Sequence, residues 1–254
     1  MFSPRLLLLS LLITSCSAVG APVTQPPATP TFLIAEVWPW GYFDKDNQPA
    51  GIIKRFASRL SEQAGIEMNY RVLPHQRVLA DFSRSDGDYT MLFQNPEVDS
   101  FAERVAMVQV SDIMLMTHRE SRLNLTLGAL AGKTLGYIGG TYYGEDFHAD
   151  QRIVKLPVSS LDQALRMLQL GRLDALITSD ILLHHSLRQA QLDPGIFRAQ
   201  VLTRGHEAYL YVSHGSRTAA HVPLVRAALE EMRANGELDE MFRNSLQLPP
   251  NSSH

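Results

Sequence analysis

The sequence has little cysteine, no excess of charge and no long apolar run after its N-terminal segment. Cys16 is the only cysteine among 254 residues, so no disulfide can form within the chain and packing alone must stabilise the core. The formal net charge is −3, and no basic stripe is present to replace the counterions of a nucleic acid. Beyond the N-terminus no stretch approaches the roughly 20 apolar residues that a membrane span needs. These absences predict a soluble globular protein that does not bind nucleic acid.

Catalytic and metal-binding motifs are also absent from the sequence. It contains no Gly-x-Ser-x-Gly elbow, no His-Glu-x-x-His pair and no phosphate-binding loop. His184 and His185 are adjacent, so on a helix their side chains point about 100° apart and cannot share a metal ion. The other histidines are scattered, and we expect most of them at the surface. The sequence therefore predicts a non-enzymatic protein without a metal ion or cofactor.

The N-terminal segment is typical of an export signal. One positive charge, Arg5, precedes an apolar run over residues 6–13 that is too short to span a bilayer. Residues 13–16, Ile-Thr-Ser-Cys, resemble a bacterial lipobox, which implies cleavage before Cys16 and lipid attachment to its thiol. Ordinary signal peptidase cleavage after one of the small residues between 17 and 21 is the alternative.

A proline-rich stretch follows the export signal. Residues 22–30, PVTQPPATP, favour an extended tether over a packed element. We expect residues 1–21 to be a signal peptide and the mature chain to lie in the periplasm or cell envelope. The two cleavage alternatives differ in whether Cys16 carries a lipid anchor.

The mature sequence alternates short apolar runs with amphipathic helical patterns, which is typical of an α/β protein. Two apolar segments before and after Ser111-Asp112 are expected to be separate extended pieces. Strands are predicted at 32–37, 68–73, 88–93, 105–110, 113–117, 134–138, 175–178 and 208–213. Helices are predicted at 52–64, after Pro74, directly after the glycine-rich turn at 139–140, from Ser160 to Gly171, after residue 180, and twice between 224 and 242.

Four segments stand in a distinctive order and spacing along the mature chain. They read PAGIIKRFASRLSEQAGIEMNY, ERVAMVQVSDIMLM, LAGKTLGYIGGTYYGEDF and SSLDQALRMLQLGRLDALITSD. Together they resemble the family 3 extracellular solute-binding proteins, the polar amino acid receptors of ABC importers. The likeness covers about residues 32–246.

This resemblance implies a type II periplasmic binding protein fold. Two α/β lobes would be joined by two crossing strands near 113–117 and 208–213, with a ligand cleft between them. Lobe one would comprise 31–113 plus 208–248, and lobe two 114–207. A monomer would capture a small polar, amino-acid-like solute by lobe closure and deliver it to a membrane permease. A ligand-sensing module for a membrane signalling partner and a dehydratase on the same fold are the alternatives.

The resemblance also indicates candidate ligand contacts in lobe one. Arg104 stands seven residues before Ser111, where the family has an arginine that binds a carboxylate; a guanidinium can do so with two parallel bonds. Trp38 matches an aromatic that stacks on the ligand, and Trp40 lies near it. Asn95 or Gln94 could replace a hydroxyl residue of the family that this sequence lacks, and Arg77 lies at the start of the helix after Pro74. A surface arginine and two core tryptophans are the plain alternatives.

In lobe two the candidates follow two strands. Gly140, Thr141 and Tyr142 come after the strand at 134–138, where backbone amides and the Thr141 hydroxyl could bind an anionic oxygen. A simple helix cap with permissive glycines is the alternative there. Asp180 comes one residue after the position at which the family has an aspartate for an amino group; Asp180 either reaches the cleft or caps the next helix.

Overall fold

The structure is a computed structural model that describes residues 28–243. The predicted signal peptide, Cys16 and most of the proline-rich tether lie outside this range. No helix between residues 28 and 243 is long and apolar enough to cross a bilayer. In the same range no group of three or more His, Cys, Asp or Glu side chains could coordinate a metal ion.

Ten strands and eight helices make up the described chain, together with three short 3-10 turns. The strands are β1 (Thr31–Ala35), β2 (Tyr42–Phe43), β3 (Pro49–Ala50), β4 (Asn69–Leu73), β5 (Tyr89–Phe93), β6 (Ala102–His118), β7 (Thr134–Ile138), β8 (Val154–Val158), β9 (Ala175–Ser179) and β10 (Phe197–Ser213). The helices are α1 (Ile52–Ala64), α2 (His75–Ser83), α3 (Pro96–Asp99), α4 (Glu145–Ala149), α5 (Leu161–Gln169), α6 (Asp180–Gln189), α7 (Val222–Ala234) and α8 (Glu237–Arg243).

Sequence signals explain the ends of several helices. The helix predicted at 52–64 is α1, and it ends at Gly65, whose φ of 65° is left-handed and costs glycine little. Helix α5 begins at Ser160, whose side chain accepts a hydrogen bond from the Gln163 backbone N–H as the capping pattern predicts. The amide oxygen of Gln163 accepts from Ser159 instead of closing the full box on Ser160.

Eight strands form one continuous sheet in the order β4-β1-β5-β10-β6-β9-β7-β8. Strands β4, β1 and β5 are parallel at one end, and β9, β7 and β8 are parallel at the other. The two central strands, β6 and β10, are 17 residues long and antiparallel to each other. The molecule therefore has two α/β halves that share a central antiparallel pair.

The prediction of two separate extended segments on either side of Ser111-Asp112 is wrong, because the structure has one strand there. Strand β6 continues through both residues, because Ser111 is paired with His206 of β10 even though the register shifts there. Its far part, Ile113–Met116, pairs with β9, whereas the part of β10 from Ala208 to Val212 pairs with β5. The chain thus passes from one half to the other near Val110–Asp112 and Thr203–Glu207.

We call the half with β1, β4, β5, α1–α3, α7 and α8 lobe one, and the half with β7–β9 and α4–α6 lobe two. One apolar cluster fills lobe one around Phe56 and Leu229, and another fills lobe two around Leu135 and Phe147. A third cluster contains residues of both lobes, including Phe82 and Leu165. The two lobes therefore pack against each other in this structure.

Candidate functional site

A pocket lies between the two lobes, beside the point where the long strands cross. Its empty volume is about 720 Å³, including the part that is open to solvent. Both lobes and both long strands contribute to its wall. The lining residues that the structure describes are Ala35, Val37, Trp40, Ile53, His75, Leu79, Met91, Leu92, Phe93, Asn95, Gln109, Ile138, Gly140, Thr141, Tyr142, Tyr143, Ser179, Leu182 and Ala208. We call this pocket the cleft.

A tight turn after β1 places Trp40 in the cleft. The Trp40 and Gly41 backbone N–H groups both donate to the carbonyl of Val37, so the chain reverses at once. The Trp40 carbonyl accepts from Ile53 in the first turn of α1, which ties the turn to that helix. Trp40 also lies 6.4 Å from the Phe242 ring of the lobe-one core, measured between ring centroids. One side of this tryptophan therefore packs in the core and another lines the cleft.

Trp38 lies outside the cleft lining. Its ring makes an edge contact with His185 of α6, with centroids 6.0 Å apart. Trp38 belongs to lobe one and His185 to lobe two, so this contact joins the lobes beside the cleft. Of the two tryptophans predicted to contact a ligand, only Trp40 is among the described residues that line the cleft.

Asn95 and His75 bring polar groups to the lobe-one wall. Asn95 is buried and caps α3, since its side-chain oxygen accepts from the Glu97 N–H at 3.0 Å. His75 begins α2 and lies across from Thr141 of lobe two, with 3.4 Å between its Nδ1 and the threonine Oγ1. Its Nε2 is buried and has no hydrogen-bond partner within residues 28–243.

Gly140, Thr141 and Tyr142 line the cleft, but they do not begin a helix as predicted. Helix α4 starts only at Glu145, because Gly140 and Gly144 adopt φ values of 90° and 103°, which a helix does not allow. The Thr141 N–H donates to the carbonyl of Ile138 in a turn. The loop therefore offers hydroxyl and ring groups from lobe two, and the expected row of free helix N–H groups is absent from it.

Ser179, rather than Asp180, lines the cleft at the end of β9. The Ser179 hydroxyl caps α6 by accepting from the Leu182 N–H. Asp180 is the first residue of α6 and is half-buried, and its Oδ1 accepts from the Ile181 N–H at 2.7 Å. Burial raises the pKa of its carboxyl, and Asp112 nearby adds to that shift. Asp180 thus lies at the helix start next to the capping Ser179, and it is not among the described residues that line the cleft.

The long strands add Gln109 to the cleft wall and His206 close beside it. Gln109 is buried on β6, and His206 is buried on β10 at a register shift of the pair. The His206 Nε2 lies 3.2 Å from the carbonyl oxygen of Tyr142, so this strand contacts the lobe-two loop directly. The His206 ring also packs against Phe93, with 4.9 Å between centroids.

Arg104 lies outside the described lining of the cleft and is paired with an acidic side chain. Its guanidinium binds the Asp99 carboxylate through two nitrogens, with Nε–Oδ1 at 2.8 Å, and lies over the Tyr209 ring at 4.8 Å. The hydrogen bonds to Asp99 raise the pKa of Arg104. The guanidinium that was expected to bind a ligand carboxylate binds the carboxylate of Asp99, five residues before it in the sequence.

Arg77 is likewise directed away from the cleft. Its Nε lies 2.6 Å from Oδ1 of Asp81, which is buried and also binds Arg71 and Arg84. Three arginines around one carboxylate stabilise the outer face of α2. Arg77 therefore supports lobe one and lies apart from the candidate site.

The cleft differs from the predicted site mainly in charge. None of its described lining residues is Asp, Glu, Lys or Arg. Burial lowers the pKa of His75 to about 4, so this imidazole is neutral at pH 7. The expectation that most histidines lie at the surface does not hold for His75, which lines the cleft. Gln109 and Ser179 were also missed, although Gln109 is a polar residue within an otherwise apolar stretch of β6.

Solved structures share this architecture. A mutant of the arginine-binding protein ArgBP from T. maritima matches with a TM-score of 0.71 and 15% identity, over 86% of this chain and 94% of its own. The substrate-binding protein AbpA from Streptococcus pneumoniae, bound to L-arginine, matches with a TM-score of 0.70 and 15% identity, over 85% and 93%. The chain has the fold of the two-lobed periplasmic binding proteins. In this binding-protein fold the cleft occupies the space between the lobes.

A third match is the periplasmic domain of BvgS from B. pertussis. Its TM-score is 0.71 at 16% identity, and it covers 89% of this chain but 44% of that chain. No protein-family model matches the sequence, and no curated protein matches it either. The likeness therefore establishes the binding-protein fold.

Proposed function

We propose that this protein is an exported solute-binding protein that captures a small polar solute by lobe closure and delivers it to an ABC importer. One observation carries the proposal: a single cleft is lined from both lobes, with Trp40 and Asn95 on one side and Thr141 and Ser179 on the other. A ligand in this cleft contacts both lobes at once only when they are closed. Binding therefore shifts the population toward the closed state.

The neighbouring structures support the importer partner. They include substrate-binding proteins of amino acid ABC transporters, and none of those named is an enzyme. An importer of this class requires an exported receptor, which agrees with the export signal predicted over residues 1–21. Lipid attachment at Cys16 would tether the receptor beside its permease.

A sensing role is the second candidate, and the likeness to the BvgS periplasmic domain favours it. The same closure would then report the ligand to a membrane signalling partner. Deleting the gene separates the two roles. Loss of uptake of the ligand supports the importer, whereas intact uptake with a lost transcriptional response supports the sensor.

A thermal-shift screen tests ligand capture itself. The mature protein would be heated with amino acids, polyamines, organic acids and neutral small molecules. A ligand at 100 times its Kd stabilises the native state by about 2.7 kcal/mol. For a protein of this size that corresponds to roughly 5–10 °C in Tm. A screen without a hit in any chemical class would contradict solute binding.

A further inference from the structure

Most of the cleft surface is apolar or aromatic. Trp40 and Phe93 from lobe one and Tyr142 and Leu182 from lobe two contribute large side chains to the wall. Such a lining stabilises a ligand body that gains by leaving water. Aromatic side chains in such a wall also favour an aromatic ligand, because rings pack well on one another.

The cleft offers no opposite charge to an ionised ligand. Its described lining has no acidic or basic side chain other than histidine. The nearby arginine with a carboxylate-binding geometry, Arg104, is already bound to Asp99. Removing a carboxylate or an ammonium group from water without a partner costs several kcal/mol. A zwitterionic amino acid would carry both of these charges into the cleft.

Hydrogen-bonding groups are nevertheless present on both walls. The buried Nε2 of His75 has no partner in the described part of the chain, and its ring lines the cleft. Because burial lowers the pKa of His75 to about 4, that nitrogen is part of a neutral ring at pH 7. Gln109 on β6 and Thr141 in lobe two add an amide and a hydroxyl to the cleft lining. A ligand bound here can therefore exchange hydrogen bonds without exchanging charge.

A depression that adjoins the cleft carries negative charge. It shares Asn95, Thr141 and Tyr142 with the cleft and is also lined by Glu97 of lobe one and Glu145 of lobe two. Both glutamates are exposed. Two carboxylates beside the cleft disfavour an anion there.

We infer that the cleft binds a small uncharged molecule with a flat apolar body and one or two hydrogen-bonding groups, such as an aromatic amide, rather than a free amino acid. The inference rests on the proposed solute-binding function and specifies its ligand class. The aromatic side chains favour an apolar ligand body, and the lining has no charged side chain that could neutralise an ionised ligand. The unpartnered Nε2 of His75 can exchange a hydrogen bond with a neutral group, and the two glutamates beside the cleft disfavour an anion.

Compounds that share one skeleton and differ in charge test this inference. Phenylacetamide is neutral, phenylacetate is an anion, phenethylamine is a cation and L-phenylalanine is a zwitterion. Matching sets would be built on indole and pyridine skeletons, and each compound titrated by calorimetry. We expect the neutral member to bind at least tenfold more tightly than its charged counterparts. Tighter binding of the carboxylates, amines or amino acids would overturn the inference but leave solute binding intact. No binding in any set would also overturn the inferred ligand class, whereas solute binding itself is contradicted only if the thermal-shift screen gives no hit.

Ser179 allows a charge to be added without removing a helix cap. Aspartate and asparagine both cap helices well, so Ser179→Asp and Ser179→Asn should each preserve the start of α6. Ser179→Asp should lower the affinity for the neutral compound and raise the affinity for the amine of the same skeleton at least tenfold. Ser179→Asn adds a similar volume without the charge, so any loss of affinity it causes should be the same for the neutral compound and for the amine, with no gain for the amine. Equal ligand profiles for the two variants, with both folded by circular dichroism, would contradict a cleft whose selectivity depends on its missing charge.

Discussion

Gly140 is the point where a single added carbon should disturb lobe closure. A Cβ built there would lie 3.2 Å from Cγ of His75 in the opposite lobe and 3.5 Å from the Gln76 backbone nitrogen. The first distance is shorter than an ordinary carbon contact, so the closed lobes must move apart slightly or the His75 ring must shift. Overpacking of this kind costs about 1–3 kcal/mol. Gly140→Ala should therefore weaken ligand binding by roughly five- to 150-fold.

Gly144→Ala is the matched control for this change. Gly144 lies in the same loop with a φ of 103°, close to the 90° of Gly140, but a Cβ there meets nothing within 4 Å. Both variants pay a similar backbone cost of about 1–3 kcal/mol, which thermal denaturation would measure. Ligand affinity, measured by calorimetry, should fall only for Gly140→Ala. Equal affinities for the two variants would refute the claim that this loop contacts lobe one during binding.

Three further predictions concern other parts of the chain. Burial lowers the pKa of His75 from 6.5 to about 4, so the unfolded chain takes up a proton first as pH falls and stability is lost between about pH 6.5 and pH 4. His75→Gln should show a smaller loss of Tm than the parent protein between pH 7 and pH 5, and identical losses would contradict the neutral buried ring. Arg104→Ala should lower the free energy of unfolding by at most about 1 kcal/mol, because it removes the ion pair with Asp99. It should leave ligand affinity unchanged, and a loss of affinity in calorimetry would show that Arg104 does contact the ligand. Cys16→Ser should release the protein from membrane fractions, and an unchanged distribution would refute the lipobox.

The sequence predicts most of the local structure because local signals determine it. Helix α1 has its apolar face at Ile52, Phe56 and Leu60 and a glycine at its end, and all four features appear in the structure. Strand β6 was divided wrongly at Ser111-Asp112. Its continuity depends on hydrogen bonds to β10, which lies about 90 residues further along the chain, and no local pattern reports that pairing.

The candidate site was harder to predict for the same physical reason. The spacing before Ser111 selects Arg104 as a ligand contact, but whether its guanidinium is free depends on Asp99, whose side chain happens to lie within reach on α3. His75 enters the cleft because the lobes pack against each other and bring Thr141 to it. Such contacts between distant segments determine which polar groups face a ligand, and a single sequence does not contain them.

The central claim is that one ligand is contacted from both lobes at once. A crystal structure of the protein with a ligand from the screen tests this most directly. It should show that ligand touching Trp40 or Asn95 on one side and Thr141 or Ser179 on the other. A ligand bound to one lobe alone, or outside the cleft, would contradict the claim.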